Sequence, residues 1–156
     1  MALSTAIRRT TITTHDMDES FRFWRDGLGF SVWYDQVVDD PVVTKLLGVS
    51  PGTQVRVAIL EAEPGDTGKI GLMQFLGGEA HVPPDLRSGP PGTGDVVILF
   101  KTERMNEINQ RLKEMGFDHV GDPEEIVIPD RETTYEMSVR DPTGVRVTFV
   151  QFGALD

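Results

Sequence analysis

Cysteine is absent from this chain of 156 residues, which removes disulfides, thiolate metal sites and cysteine nucleophiles together. That absence fits a reducing compartment. Long apolar runs are missing as well: nothing approaches the ~18 residues of a membrane span. The first residues carry no signal-peptide core, so a soluble, cytoplasmic protein with no membrane partner is expected. Basic residues are scarce, 15 Lys and Arg against 25 Asp and Glu, for a net charge of −10. Nucleic acids and anionic bilayers need a basic face, so neither is expected as a partner. Acidity of this size suits a cationic ligand, or simply maintains solubility. The three histidines, His15, His81 and His119, show no local ligand spacing and read as solvated or turn residues.

What is present is globular: 38% hydrophobic and 26% charged residues, in a length that suits one domain with a real core. Ile7 to Thr14 is threonine-rich and β-prone. Asp16, with Glu19 three residues on, forms a capping-box pattern before Met17, Phe21, Trp24 and Leu28 at helical spacing, and Gly27 terminates. Phe30 to Val38 alternates as a strand. Asp40-Pro41 to Gly48 reads as a short helix with proline in its first turn and glycine past its end. Gln54 to Glu61 and Lys69 to Leu76 are strands around a turn at 64–68. From Gly77 to Gly94 glycine and proline dominate, as in a connector.

Beyond the connector the same order returns. Asp95 to Lys101 is a strand, Met105, Ile108, Leu112 and Met115 make a helical stripe, and Gly116 ends it. Val120 to Ile128, Thr133 to Val139 and Val145 to Phe152 supply three more strands, the last two joined by an Asp141-Pro142-Thr143-Gly144 turn. An internal duplication accounts for this order. The expectation is one α+β domain over 1–156, built from two tandem βαβββ modules, at about 7–76 and 95–152, joined by a connector at 77–94.

The organisation resembles the vicinal oxygen chelate superfamily, which includes glyoxalase I, bleomycin- and fosfomycin-resistance proteins and extradiol dioxygenases. The resemblance rests on Asp16-Met17-Asp18-Glu19-Ser20-Phe21-Arg22-Phe23-Trp24, the Gly27-Leu28-Gly29-Phe30 exit and the Asp141-Pro142-Thr143-Gly144 turn. It implies a curved mixed sheet around a central cup that holds a small-molecule ligand, and a homodimer. It also implies metal ligands on the first and last strands of each module. Those positions map to Arg9, Gly71, Val97 and Thr148. A permanent cation, two side chains without donor atoms and a neutral hydroxyl do not form a divalent-metal site. No metal and no cofactor is therefore expected.

Strand alternation then assigns faces. Arg9, Thr11 and Thr13, then Gly71, Met73 and Phe75, then Val97, Leu99 and Lys101, and finally Arg146, Thr148 and Val150 share the parity of the cup. The opposite parity gives Ile70 and Leu72, Val96, Ile98 and Phe100, and Val145, Val147 and Phe149, which are uniformly apolar as a helix-packed face requires. The candidate ligand-binding residues are Arg9, Thr11, Thr13, Met73, Phe75, Leu99, Lys101, Arg146 and Thr148. Arg9 and Arg146 are candidate electrophiles that would replace a metal against a carboxylate, enolate or phenolate oxygen. Equally they reach water or pair with acids, Glu61 or Glu136 being internal candidates for Arg9. Tyr34 is a candidate general acid, and one of Trp33 and Tyr34 should face the cup. Phe21 and Trp24 read as core.

Three functions remain open. The first is a metal-free binder of a small anionic or enolisable molecule, sequestering it or catalysing an isomerase- or lyase-type step. The second is a metal-dependent glyoxalase-like lyase with displaced ligands, and the third a non-catalytic, resistance-type binder of a cationic drug. An extradiol dioxygenase is disfavoured, because its iron needs two histidines and a carboxylate.

Overall fold

The chain separates into two compact units, Met1–Pro84 and Asp85–Asp156. The computed structural model describes residues 6–77, 89–127, 129 and 132–156, so most of the connector, with His81, and also Ile128 lie outside the described residues.

The first unit runs β1 (Arg9–Thr13), α1 (Met17–Phe21), a π-helical turn (Arg22–Gly27), β2 (Ser31–Val38), α2 (Pro41–Leu47), β3 (Gln54–Glu61) and β4 (Lys69–Leu76). Its sheet has the order β1-β4-β3-β2. β1 is parallel to β4, and the other pairs are antiparallel. Asp16 caps α1, its carboxylate accepting from the backbone N–H groups of Asp18 at 2.9 Å and Glu19 at 3.0 Å. The reciprocal half of the expected box is supplied differently. The N–H of Asp16 donates to the Thr14 hydroxyl at 3.1 Å, and Glu19 instead pairs with Arg22.

The widened turn that follows α1 has a physical use. Leu28 N–H donates to Phe23 C=O, five residues back, at 3.0 Å. The extra residue brings the adjacent Phe23 and Trp24 both fully inside, where an ideal helix would splay them further around its axis. Trp24 meets Phe23 and Phe30 edge-on, with centroids 5.1 and 5.6 Å away. Met17, Phe21, Leu60, Ile70 and Leu72 complete that core. α2 is capped by Asp40 and closed by Gly48, whose φ of 68° is the left-handed conformation glycine tolerates.

The second unit repeats the plan with β5 (Val97–Lys101), α3 (Met105–Glu114), β6 (His119–Ile126), β7 (Thr134–Arg140) and β8 (Arg146–Phe152), in the order β5-β8-β7-β6. Again the first and last strands pair in parallel. Met105, Leu112, Met137, Val139 and Val147 are its buried centre. The Asp141 turn is built on one carboxylate oxygen. It accepts from Thr143 N–H at 2.9 Å, the Thr143 hydroxyl at 2.6 Å and Val145 N–H at 3.1 Å.

The duplication extends to single side chains. Arg9 lies opposite Lys69 and Val97 opposite Arg146, so 69–75 of β4 superposes in register on 146–152 of β8. Both segments carry glutamine at the sixth place, and each glutamine ties its strand to the start of its unit's helix. Gln74 Nε2 donates to His15 C=O at 2.8 Å, and Gln151 Oε1 accepts from Met105 N–H at 3.1 Å. The second bond matters because Arg104, at the cap of α3, provides no side-chain acceptor of its own.

One helix-packed assignment fails. Val96 is 62% exposed and precedes the strand. A tight turn over Gly92 to Asp95, closed by Asp95 N–H to Gly92 C=O at 3.1 Å, delays β5 until Val97.

Candidate ligand sites on the open sheet faces

In each unit the centre of the helix-packed face is apolar and buried, as at Leu60, Ile70 and Leu72 and at Val139, Val147 and Phe149, and the opposite face carries further polar groups. On the first sheet, the cross-strand registers place Thr11, Gly71, Ile59 and Tyr34 in one row, with Thr13, Met73, Val57 and Gln36 in the next. The space above Gly71 is filled by its neighbours. A Cβ added there would lie 2.7 Å from Thr11 Oγ1, 2.9 Å from Arg9 Cδ and 3.1 Å from Arg9 Nε. Arg9 therefore lies flat across the strand, its Nε donating to Thr11 Oγ1 at 3.0 Å. The side chain is exposed, and among the described residues its guanidinium makes no ion pair.

Neither of the expected acids neutralises Arg9. Glu61 pairs with Lys69, which is directly beside Arg9 on β4 and only 6% exposed. Direct cross-strand contact is shorter than any route from Glu61 to Arg9, because β4 lies between β1 and β3. Glu136 lies in β7, in register with Val150 and Glu124 of the second unit's sheet. Lys69 is a residue that sequence reasoning missed. Its only signal was a lysine in phase with Gly71 and Met73 along an otherwise apolar strand.

Trp33 and Tyr34 correct another expectation. The β2–β3 register slips between Val32 and Tyr34, so Trp33 is the extra residue of a bulge. Adjacent side chains then share a face. Tyr34 falls in the Gly71 row, and Trp33 covers Lys69, whose Nζ is 4.8 Å from the indole centroid. The two rings stand 6.3 Å apart with 38° between their planes. Simple alternation could not show this, because a bulge depends on the partner strand.

On the second sheet the open face carries Leu99, Thr148 and Ser138 in one row. The Thr148 and Ser138 hydroxyls bond each other at 2.8 Å, and Thr148 is buried. Lys101 is exposed, with Nζ 5.6 Å from the Phe152 centroid. Arg146 lies directly opposite Arg140 across β7 and β8. Both donate to Gly89 C=O, Arg140 at 2.6 Å and Arg146 at 3.1 Å. Met73 and Phe75 are half-buried, while Thr13 is exposed.

The resolved electrostatic shifts lie on the helix-packed side and the surface. Asp35 is held below the usual carboxylate range chiefly by hydrogen bonds from Arg56, at 2.9 and 2.8 Å, against the opposing effect of partial burial. The Arg56 guanidinium also stacks 5.4 Å over Phe21, fastening β2 and β3 to α1. Exposed Asp26 is lowered by its hydrogen bonds from Arg25, and Asp122 by a hydrogen bond from Lys113. His15 is exposed, whereas His119 opens β6 half-buried. Its Nδ1 is 3.0 Å from Phe117 C=O, two residues back, which suits a turn residue more than a solvated one, and its Nε2 is buried with no hydrogen-bond partner among the described residues.

The four inherited metal positions do not suit a metal. Arg9 and Thr11 occupy the space a donor side chain at Gly71 would need, Val97 has no donor, and the Thr148 hydroxyl is committed to Ser138. Among the described residues no three His, Asp or Glu side chains gather into a metal-holding group.

Two βαβββ units, each with its first and last strands paired in parallel and a polar face opposite the helix, define a paired-module α+β protein. Residues 6–149 match the family model described as "Glyoxalase/Bleomycin resistance protein/Dioxygenase superfamily", and the chain belongs to that superfamily. A comparison with curated proteins finds no match. Among solved structures, the chain is similar to a glyoxalase family protein from Bacillus cereus, with a TM-score of 0.78, 19% identity and 99% of each chain covered. It is also similar to the trypanothione-dependent glyoxalase I of Leishmania major, with a TM-score of 0.59 and 15% identity over 95% of this chain and 87% of that one. An antibiotic binding protein from a Streptomyces species gives 0.61 and 18% identity, over 98% of this chain and 100% of that one. At these identities the likeness establishes the fold. Among the described residues no helix is long and apolar enough to cross a membrane.

Proposed function

We propose that this protein binds a small organic anion, or an enolisable molecule whose oxygen becomes negative, on the open face of the first sheet. In this reading Arg9 takes the electrophilic role that a metal has elsewhere in the superfamily. The observation that carries it is the Arg9 guanidinium, laid over Gly71 and held by Thr11, exposed and without an ion pair among the described residues. In a chain of net charge −10, an exposed guanidinium held in place on a sheet face is available to an anionic ligand. Thr11 and Thr13 add hydroxyls, Met73 and Phe75 apolar contact, and Tyr34 a phenol on the same face.

Arg9 would contribute a charge-assisted, bidentate contact to a carboxylate or enolate oxygen, which strengthens as negative charge develops. Tyr34 could give its proton to such an oxygen and take one back from the neighbouring carbon, an isomerase-type exchange that returns the phenol to its starting state. Without that step the same face sequesters its ligand. A cationic drug is the weaker reading: the Trp33 ring that would receive it already has Lys69 against it, and Arg9 would repel it.

The test is a panel of aryl carboxylates and phenolates followed by calorimetry, with metal analysis of protein purified without a histidine tag. Binding that Arg9→Ala weakens about tenfold or more supports the proposal. A tight equivalent of zinc, nickel or iron, or binding indifferent to Arg9→Ala, overturns it. The homodimer implied by the family would give twice 17.3 kDa in light scattering.

A further inference from the structure

The two units hold a matched pair of positions that differ in one respect. At the start of the last strand of each, a cation projects from the open face: Lys69 in β4 and Arg146 in β8. At the end of the neighbouring antiparallel strand stands its cross-strand partner. In the first unit that partner is Glu61, and the Lys69–Glu61 pair neutralises itself under Trp33. In the second unit the partner is Arg140, a second cation. Like charges directly opposite on neighbouring strands repel, and the fold gains nothing by retaining them unmatched.

Among the described residues the compensation within the second unit is incomplete. Arg140 has Asp118 Oδ2 3.5 Å from its Nε, and its side chain is 11% exposed. Arg146 makes no ion pair among the described residues, and its Nε is buried with no hydrogen-bond partner. The two side chains converge instead on Gly89 C=O, with Gly144 C=O a further acceptor for Arg140 at 3.3 Å. Carbonyl dipoles occupy some N–H groups but cancel neither charge. Among the described residues two forks therefore meet with one carboxylate, against Arg140, and one buried donor of Arg146 is left over.

We propose that the Arg140–Arg146 pair is a binding site for a phosphate-type oxyanion. A tetrahedral oxyanion matches what is missing. It supplies the one negative charge that Asp118 leaves over, an acceptor for Arg146 Nε, and enough oxygens to bridge two guanidinium forks at once. A carboxylate supplies the charge but has only two oxygens in one plane, too few to serve both forks together. The ligand class is then a phosphate or a phosphorylated small molecule, and Arg140 determines that specificity.

The probe is inorganic phosphate, titrated into the full chain at constant ionic strength, with arginine Nε–Hε resonances observed by NMR. Saturable shifts at Arg140 and Arg146 are expected, with acetate at least tenfold weaker. Arg140→Lys keeps a charge but loses the fork, and should weaken phosphate about tenfold while leaving the urea midpoint near that of the parent. Arg146→Gln should weaken it further. Arg9→Ala should leave it unchanged, which separates this site from the anion site of the first sheet. The proposal is overturned by a response that does not saturate or that chloride reproduces. It is also overturned by acetate binding as tightly as phosphate, or by loss of binding in Arg9→Ala.

Discussion

Replacing Gly71 by alanine should destabilise the protein through two side chains and not through its backbone. The new methyl would lie 2.7 Å from Thr11 Oγ1 and 2.9 Å from Arg9 Cδ, both closer than real Cβ contacts come. Forcing extra volume into a filled site costs about 1–3 kcal/mol. The neighbours here are side-chain atoms that can yield, so the lower part of that range applies. Against it stands the ordinary gain of Gly→Ala, about 0.4–1 kcal/mol, from a less flexible unfolded chain. The balance is a net loss of about 0.5 kcal/mol. In an Arg9→Ala, Thr11→Ala background the obstruction is gone and only the gain remains, so the same substitution should stabilise by about 0.5 kcal/mol. Urea unfolding reads this as a midpoint that falls in one background and rises in the other at constant m. An equal cost in both backgrounds would refute the packing of Arg9 over Gly71, and with it the main support for Arg9 as an anchored anion ligand.

Asp35→Asn should cost about 1–2 kcal/mol at neutral pH, because it removes a half-buried bidentate partner of Arg56. The folded pKa of Asp35 is lowered, so that contribution is complete above the unfolded aspartate value of about 3.9 and is lost as pH falls through the folded one. The gap between parent and variant should therefore narrow on acidification below about pH 3.9, and a gap that stays constant there contradicts the ion pair. Lys69→Met or Glu61→Leu alone should each cost about 3–5 kcal/mol by stranding a buried charge. The double substitution should cost clearly less than the sum, as a double-mutant cycle would read. Gln151→Leu should cost about 1–3 kcal/mol by leaving Met105 N–H unpaired at the start of α3, with faster amide exchange there as the check.

Much of the fold was legible because it repeats. Helical spacing at Met17, Phe21 and Trp24, the Asp16 and Asp40 caps, and the terminal glycines are local signals, and local sterics and hydrogen bonds decide them. Alternation also placed Arg9, Thr11 and Gly71 on one face, since strand period needs no knowledge of partners. It failed where pairing overrides period. The bulge at Trp33 depends on β3, and the late start of β5 depends on the turn closed by Asp95. The pairing of Lys69 with Glu61, and of Arg146 with Arg140, joins strands whose register no single segment encodes.

By itself, then, the sequence determined two βαβββ modules and the polar face of their strands, because spacing and side-chain chemistry are properties of the chain. Tertiary structure alone decided which charges meet. Glu61 neutralises Lys69 instead of Arg9, leaving Arg9 without an ion pair among the described residues, and Arg140 faces Arg146. Electrostatic pairing falls steeply with distance, and those distances exist only once the strands have docked.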